Sequence, residues 1–169
     1  KRGFEVFYYS PNNLIYKNNF VYANAKILDL SLKDGKELFS YGSERVLKLS
    51  SLDVVLMRQD PPFNMSYITA THLLEKIASQ TLVLNNPYHV RNAPEKIFVT
   101  EFSKFMPKTL ITRETNEIMK FKRQNKNIII KPLYGNGGEG VFYIKDNDTN
   151  FNVILENFLN SSKEQFIVQ

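Results

Sequence analysis

The stretch Ile130-Lys131-Pro132-Leu133-Tyr134-Gly135-Asn136-Gly137-Gly138-Glu139-Gly140-Val141 ends an apolar run on a lysine and then sets glycine at four of the six positions 135–140. Glycine lets backbone N–H groups turn toward an anion with no Cβ in the way. Lys131 would add a fixed positive charge beside phosphate oxygens. The apolar runs on either side read as strands, so the order is strand, loop, strand. Walker and dinucleotide-binding loops instead enter a helix. A wide hairpin turn would use the same glycines without binding anything. Lys131 weighs against that reading, because a strand-end lysine beside a proline has no evident packing duty.

Two further cations stand out. Lys96 falls in the first turn of an expected helix over 93–105, where the macrodipole disfavours a cation and would welcome an anion. A solvated surface lysine is the plain alternative. Arg58 closes the apolar run Asp53-Val54-Val55-Leu56-Met57. Open α/β sheets bind ligands at such carboxyl ends, and arginine grips a carboxylate bidentately. An ion pair with Asp60 would explain Arg58 equally well.

Other chemistries find no support. Cysteine is absent, which removes disulfides, thiolate metal sites and a thiol nucleophile. His72 and His89 lie too far apart for a two-histidine zinc motif on one helical face. Neither has a triad context, no Gly-x-Ser-x-Gly elbow occurs, and no carboxylate couple stands out. The net charge of +5 invites a nucleic-acid reading, but residues 1–92 hold eleven Lys/Arg against eight Asp/Glu and residues 93–169 eleven against nine. No basic block or stripe forms, so the reading is a mixed surface without a nucleic-acid partner. No apolar run nears the ~20 residues of a membrane span, and no signal-peptide core follows Lys1.

These residues need elements to hold them. Residues 4–9 read as a strand, and Leu14–Tyr16 and Phe20–Tyr22 as a hairpin around Lys17-Asn18-Asn19, since asparagine tolerates positive φ. Residues 31–50 are polar, with a short helix expected around Ser43–Leu47. The run 53–58 predicts a strand buried on both faces. A helix from Asn64 to Ala78 follows, capped by Asn64, with Ile68, Leu73, Leu74 and Ile77 on its apolar face. Residues 81–84 return as a strand, giving a parallel α/β unit. A domain boundary is expected between Leu84 and Asn92. Beyond it come a helix over 93–105 capped by Asn92, a strand at 109–112, a helix at 114–124, strands at 127–132 and 140–145, a helix at 152–160 and a strand at 165–169.

Taken together the motifs resemble the prokaryotic glutathione synthetase family of the ATP-grasp superfamily. Residues 53–63 resemble its D-V-V-L-M-R-K-D-P-P-F segment, with Gln59 for Lys. Asn85-Asn86-Pro87 followed by Arg91 to Phe98 resembles N-x-P … R-x-x-x-E-K-L-F. Residues 130–138 resemble L-K-P-L-D-G-x-G-G, with Tyr134 for Asp. The match runs from about Leu52 to Gln169. The resemblance implies an α/β fold: a parallel-sheet pre-ATP-grasp domain over 1–91, lacking its first strand and helix, then the α+β small lobe of an ATP-grasp domain over 92–169, with the C-terminal lobe absent. It implies a cytoplasmic, homo-oligomeric ligase that joins glycine to γ-glutamylcysteine through an acyl phosphate, using ATP and Mg2+.

By position, Lys96 and Lys131 correspond to lysines on the ATP phosphates, and Gly135, Asn136, Gly137 and Gly138 to the loop that closes over them. Gln169 corresponds to the strand residue beside the adenine. Arg58 is the candidate for peptide-substrate contact. The magnesium ligands are expected downstream of Gln169, so no catalytic or metal residue is assigned within these 169 and the chain alone is expected to be inactive. Another ATP-grasp peptide ligase, a non-catalytic nucleotide-binding module and a purely structural α/β domain remain the competing readings.

Overall fold

The computed structural model describes residues 3–31, 38–135 and 137–169 in full and the backbone alone at 32, 33, 36 and 37. The chain divides into two units, Lys1–Asp60 with Asn64–Asn92, and Pro61–Phe63 with Ala93–Gln169.

The first unit opens with an antiparallel sheet of β1 (Phe7–Tyr8), β2 (Leu14–Lys17), β3 (Phe20–Lys33) and β4 (Lys36–Lys48). β3 is central: β1, β2 and β4 all pair with it. Asn18 and Asn19 make the turn between β2 and β3 with φ of 51° and 64°, the left-handed pair a two-residue hairpin loop requires. The helix expected at 43–47 does not form. Those residues lie in β4, where Arg45 faces Ala25 and Leu47 faces Ala23. Pairing with a partner twenty residues earlier overrides a weak local preference.

β5 (Val54–Leu56) and β6 (Leu82–Leu84) pair in parallel, joined through α1 (Met65–Glu75). Asn64 caps α1 as expected, its side-chain oxygen accepting from the Tyr67 N–H at 3.0 Å. The expectation of a strand buried on both faces is corrected. Val55 is 3% exposed, but Val54 is 44% and Leu56 64% exposed. Val55, Met57 and Val83 pack into one core with Val21, Ala23, Leu49, Leu74 and Ile77, while Leu82 and Leu84 share the exposure of Val54 and Leu56.

The expected 93–105 helix also breaks up. Asn86 accepts from the N–H groups of Tyr88 (3.0 Å) and His89 (3.3 Å) and starts α2 (Pro87–Asn92). Asn92 therefore ends a helix, its amide donating to the Tyr88 carbonyl at 2.8 Å, and does not cap the next one. A single turn, α3 (Glu95–Phe98), follows Pro94 and continues as a tighter 3-10 segment over Val99–Phe105, interrupted at Phe102. Phe102 and Phe105 are exposed, so no apolar stripe holds a regular helix there.

The second unit is an antiparallel sheet in the order β7 (Leu110–Thr112), β10 (Phe166–Val168), β8 (Ile128–Pro132), β9 (Phe142–Ile144). One face carries Ile128, Ile130, Ile144, Phe166 and Val168 against Ile118 of α4 (Thr115–Asn125) and Phe151, Leu155 and Phe158 of α5 (Phe151–Ser161). Two cations tie the helices down. Arg113 donates to the carbonyls of Leu159, Ser162 and Glu164 at the end of α5. Lys122, 7% exposed, donates to the carbonyls of Lys126 (3.2 Å), Lys145 (2.7 Å) and Asp146 (2.8 Å). Replacing Lys122 by Met keeps the apolar stem but leaves those carbonyls without their donor. The substitution should cost about 2–4 kcal/mol of stability, read as a lower thermal midpoint.

Candidate functional site

Strand alternation decides what the second face of the β7-β10-β8-β9 sheet presents. Lys131 pairs with Ile167, and Ile167 with Ile111. In the adjacent row Ile129 and Gln169 exchange backbone hydrogen bonds at 2.7 and 2.9 Å, and Ile129 pairs with Tyr143. The face away from α4 and α5 thus carries Ile111, Ile129 and Ile167 with Lys131, Tyr143 and Gln169. Gln169 donates its side-chain amide to the Thr109 hydroxyl at 3.1 Å. Lys131 is half-buried and its side chain makes no hydrogen bond or ion pair among the described residues. Ile167 in the middle of that row is 1% exposed and Ile111 is half-buried, so the open part of the face is its edge by Ile129 and Lys131.

The glycine loop begins one residue past β8. Leu133 is 4% exposed and anchors the stem in the interior. Gly137, Gly138 and Gly140 adopt φ of 65°, 78° and 68°. Around Gly137 and Gly138 a Cβ would meet nothing within 4 Å, so these two stand in open space. Gly140 differs: a Cβ there would stand 2.9 Å from Cγ and 3.1 Å from Cδ of Pro132. Gly135 also lies against Pro132, at ordinary contact distance. Asn136 lies outside the described residues.

Lys96 reaches this loop. Its ammonium donates to the Gly135 carbonyl at 2.7 Å in a part-buried setting. The helix dipole that made Lys96 conspicuous is minor, since α3 is one turn long; a backbone carbonyl, not the dipole, fixes the side chain. An ammonium has three donors, so Lys96 keeps two for another acceptor. Lys96, Gly135, Gly137, Gly138, Lys131 and Gln169 all belong to the second unit. Arg58 belongs to the first, is exposed, and its side chain forms no ion pair with Asp60 or any other described residue.

Four residues here go beyond the sequence reading. Pro132 backs the loop, Gly140 is its most confined glycine, and Tyr134 stacks on Phe63, ring centroids 6.3 Å apart and planes 20° apart. Phe63 ends the 53–63 segment that carries the family resemblance; two aromatic residues that far apart in sequence give no signal of meeting. Among the described residues no group of three or more His, Cys, Asp or Glu could hold a metal ion.

The two kinds of glycine make a prediction. Gly140→Ala adds a collision with the Pro132 ring to a strained φ and should cost clearly more stability than Gly137→Ala, which meets only the φ penalty of about 1–2 kcal/mol. Thermal unfolding of both variants measures the difference.

Known proteins agree on one kinship. Residues 1–91 match the family described as prokaryotic glutathione synthetase, N-terminal domain, and residues 95–169 the prokaryotic glutathione synthetase, ATP-grasp domain. The glutathione synthetase of Agrobacterium fabrum is 48% identical over 168 residues, covering 99% of this chain and 52% of that protein. That of Brucella melitensis is 49% identical over 170 residues, covering 100% and 54%. The chain therefore spans about half the length of the curated relatives it matches. A solved RiPP-associated ATP-grasp ligase from Chryseobacterium gregarium, in complex with ADP and a leader and core peptide, is 15% identical with a TM-score of 0.47, over 85% of this chain and 50% of that one. With both domain families matched in order along the sequence, the chain belongs to the prokaryotic glutathione synthetase family.

Proposed function

We propose that the protein is an ATP-dependent carboxylate–amine ligase that makes glutathione from γ-glutamylcysteine and glycine through an acyl phosphate. Residues 1–91 are its substrate-side domain and residues 92–169 the small lobe of its ATP-grasp domain. The observation that carries the reading is the 2.7 Å hydrogen bond from the Lys96 ammonium to the Gly135 carbonyl. It joins two features that sequence alone left separate, a helix lysine and a glycine loop. Family membership supplies the reaction class.

On this reading the chain's own residues bind and orient the nucleotide. Ile129, at the exposed edge of that face, packs against the base, and Gln169 beside it offers polar groups to the purine rim. Lys131 and Lys96 neutralise phosphate oxygens, and the amides around Gly137 and Gly138 turn onto the same oxygens. Phosphoryl transfer depends mainly on such positioning and charge neutralisation. Arg58 is the proposed contact for the peptide substrate. Magnesium is proposed as the nucleotide's metal partner in the whole protein. The described residues do not fit it, having no group of three or more His, Cys, Asp or Glu that could hold a metal ion. The same reading makes the protein a cytoplasmic homo-oligomer with small-molecule partners only; among the described residues no helix is long and apolar enough to cross a membrane.

The test is made on the whole protein with ATP, γ-glutamylcysteine and glycine, following ADP and glutathione together. Lys131→Ala and Lys96→Ala should each weaken ATP binding about 10- to 100-fold, the range of one lost charge-assisted hydrogen bond. Unchanged ATP affinity in the doubly substituted protein, or ADP release with no glutathione, sinks the reading.

A further inference from the structure

The loop that ends in Gly140 is anchored at its stem by four separate contacts. Leu133 is interior, Gly135 receives Lys96, and Gly140 rests on Pro132. The fourth is the stack of Tyr134 on Phe63. Phe63 is half-buried and follows two exposed prolines, whose rings restrict the backbone that carries it. Its ring is thus delivered on a stiff stem. Tyr134 is 38% exposed, so the stack is a surface contact and not part of the interior packing. One residue further on stands the carbonyl that Lys96 grips. The Tyr134 ring and the carbonyl held by Lys96 thus sit on adjacent residues of the loop stem.

We infer that Phe63 and Tyr134 form a positioning pair that sets the glycine loop for nucleotide phosphates, so that Phe63 tunes ATP affinity without touching ATP. The inference rests on the proposed reading of this loop as the phosphate loop. An aromatic pair of this kind is worth a small, specific amount of energy beyond its buried area.

The experiment is a double-mutant cycle in the whole protein with ATP as the titrant. Phe63→Leu and Tyr134→Leu should each weaken ATP binding about two- to tenfold, the range one aromatic pair can supply. The double variant should be no weaker than the worse single, because both remove the same contact. Tyr134→Phe keeps the stack and should restore the affinity that Tyr134→Leu loses. The KM values of γ-glutamylcysteine and glycine should hold steady. Amide exchange of residues 134–140 should quicken in Phe63→Leu, while that of β7 and β10 stays the same. Additive losses in the double variant, or a uniform rise in exchange across the second unit, overturn the inference and make the stack ordinary packing. Lys131→Ala separates the two levels. If it abolishes ATP binding while the stack variants bind normally, the phosphate loop stands and the pair is wrong. If it leaves ATP affinity unchanged, the loop reading fails and takes this inference with it.

Discussion

The ammonium of Lys96 on the carbonyl of Gly135 is the contact on which the site depends, because it spans 39 residues of sequence and closes a geometry that nothing local enforces. Neither partner is special alone. A one-turn helix offers a weak dipole, and a glycine cluster offers a flexible turn. Joined, they put a cation beside backbone that can turn its N–H groups outward. The bond is charge-assisted and part-buried, conditions under which a hydrogen bond holds its geometry against water. Lysine suits the position since one donor can hold the loop while the others remain for a ligand.

The sheet beneath that contact has two faces with different tasks. Ile128, Ile130, Phe166 and Val168 commit one face to α4 and α5, which fixes the side on which Ile129, Lys131, Ile167 and Gln169 must appear. A register slip of one residue on β8 would bury Lys131 in the isoleucine core and expose Ile130. The core packing therefore specifies the site: burying an unpaired ammonium costs far more than the register could recover elsewhere. Core and site are one design problem solved by strand alternation.

What was legible in the sequence was local. The Asn18-Asn19 turn, the Asn64 cap and the helices α4 and α5 depend on φ preference, a side chain three residues away, or a 3.6-residue period, and each is written in adjacent residues. What failed depended on distant partners. β4 is polar and reads locally as a short helix at 43–47 until β3 is placed beside it. The run Val54–Leu56 is uniformly apolar, yet only Val55 is buried, since an apolar run does not say how many layers cover it. Asn92 lost its capping role because Asn86 starts a helix first, a competition between two good caps that composition cannot rank. At the site, Lys131 and the glycines were visible from their own spacing, whereas Phe63 against Tyr134 was not, because ring stacking leaves no trace in either segment.

The cations of the second unit sort by what they hold. Lys122 and Arg113 each spend their donors on three carbonyls, at a helix end and a strand end, so their charge serves the fold and is used up there. Lys96 spends one donor on one carbonyl. Lys131 spends none among the described residues, although it is half-buried on a strand whose neighbours are isoleucine and proline. Partial burial of a cation with no protein acceptor is unfavourable unless an anion restores what water gave it. Structural economy would place methionine or leucine at that position, where the stem would pack at no electrostatic cost. That asymmetry between satisfied and unsatisfied charge separates Lys96 and Lys131 from Lys122 and Arg113, and it is what makes the first two the candidates for holding an anion.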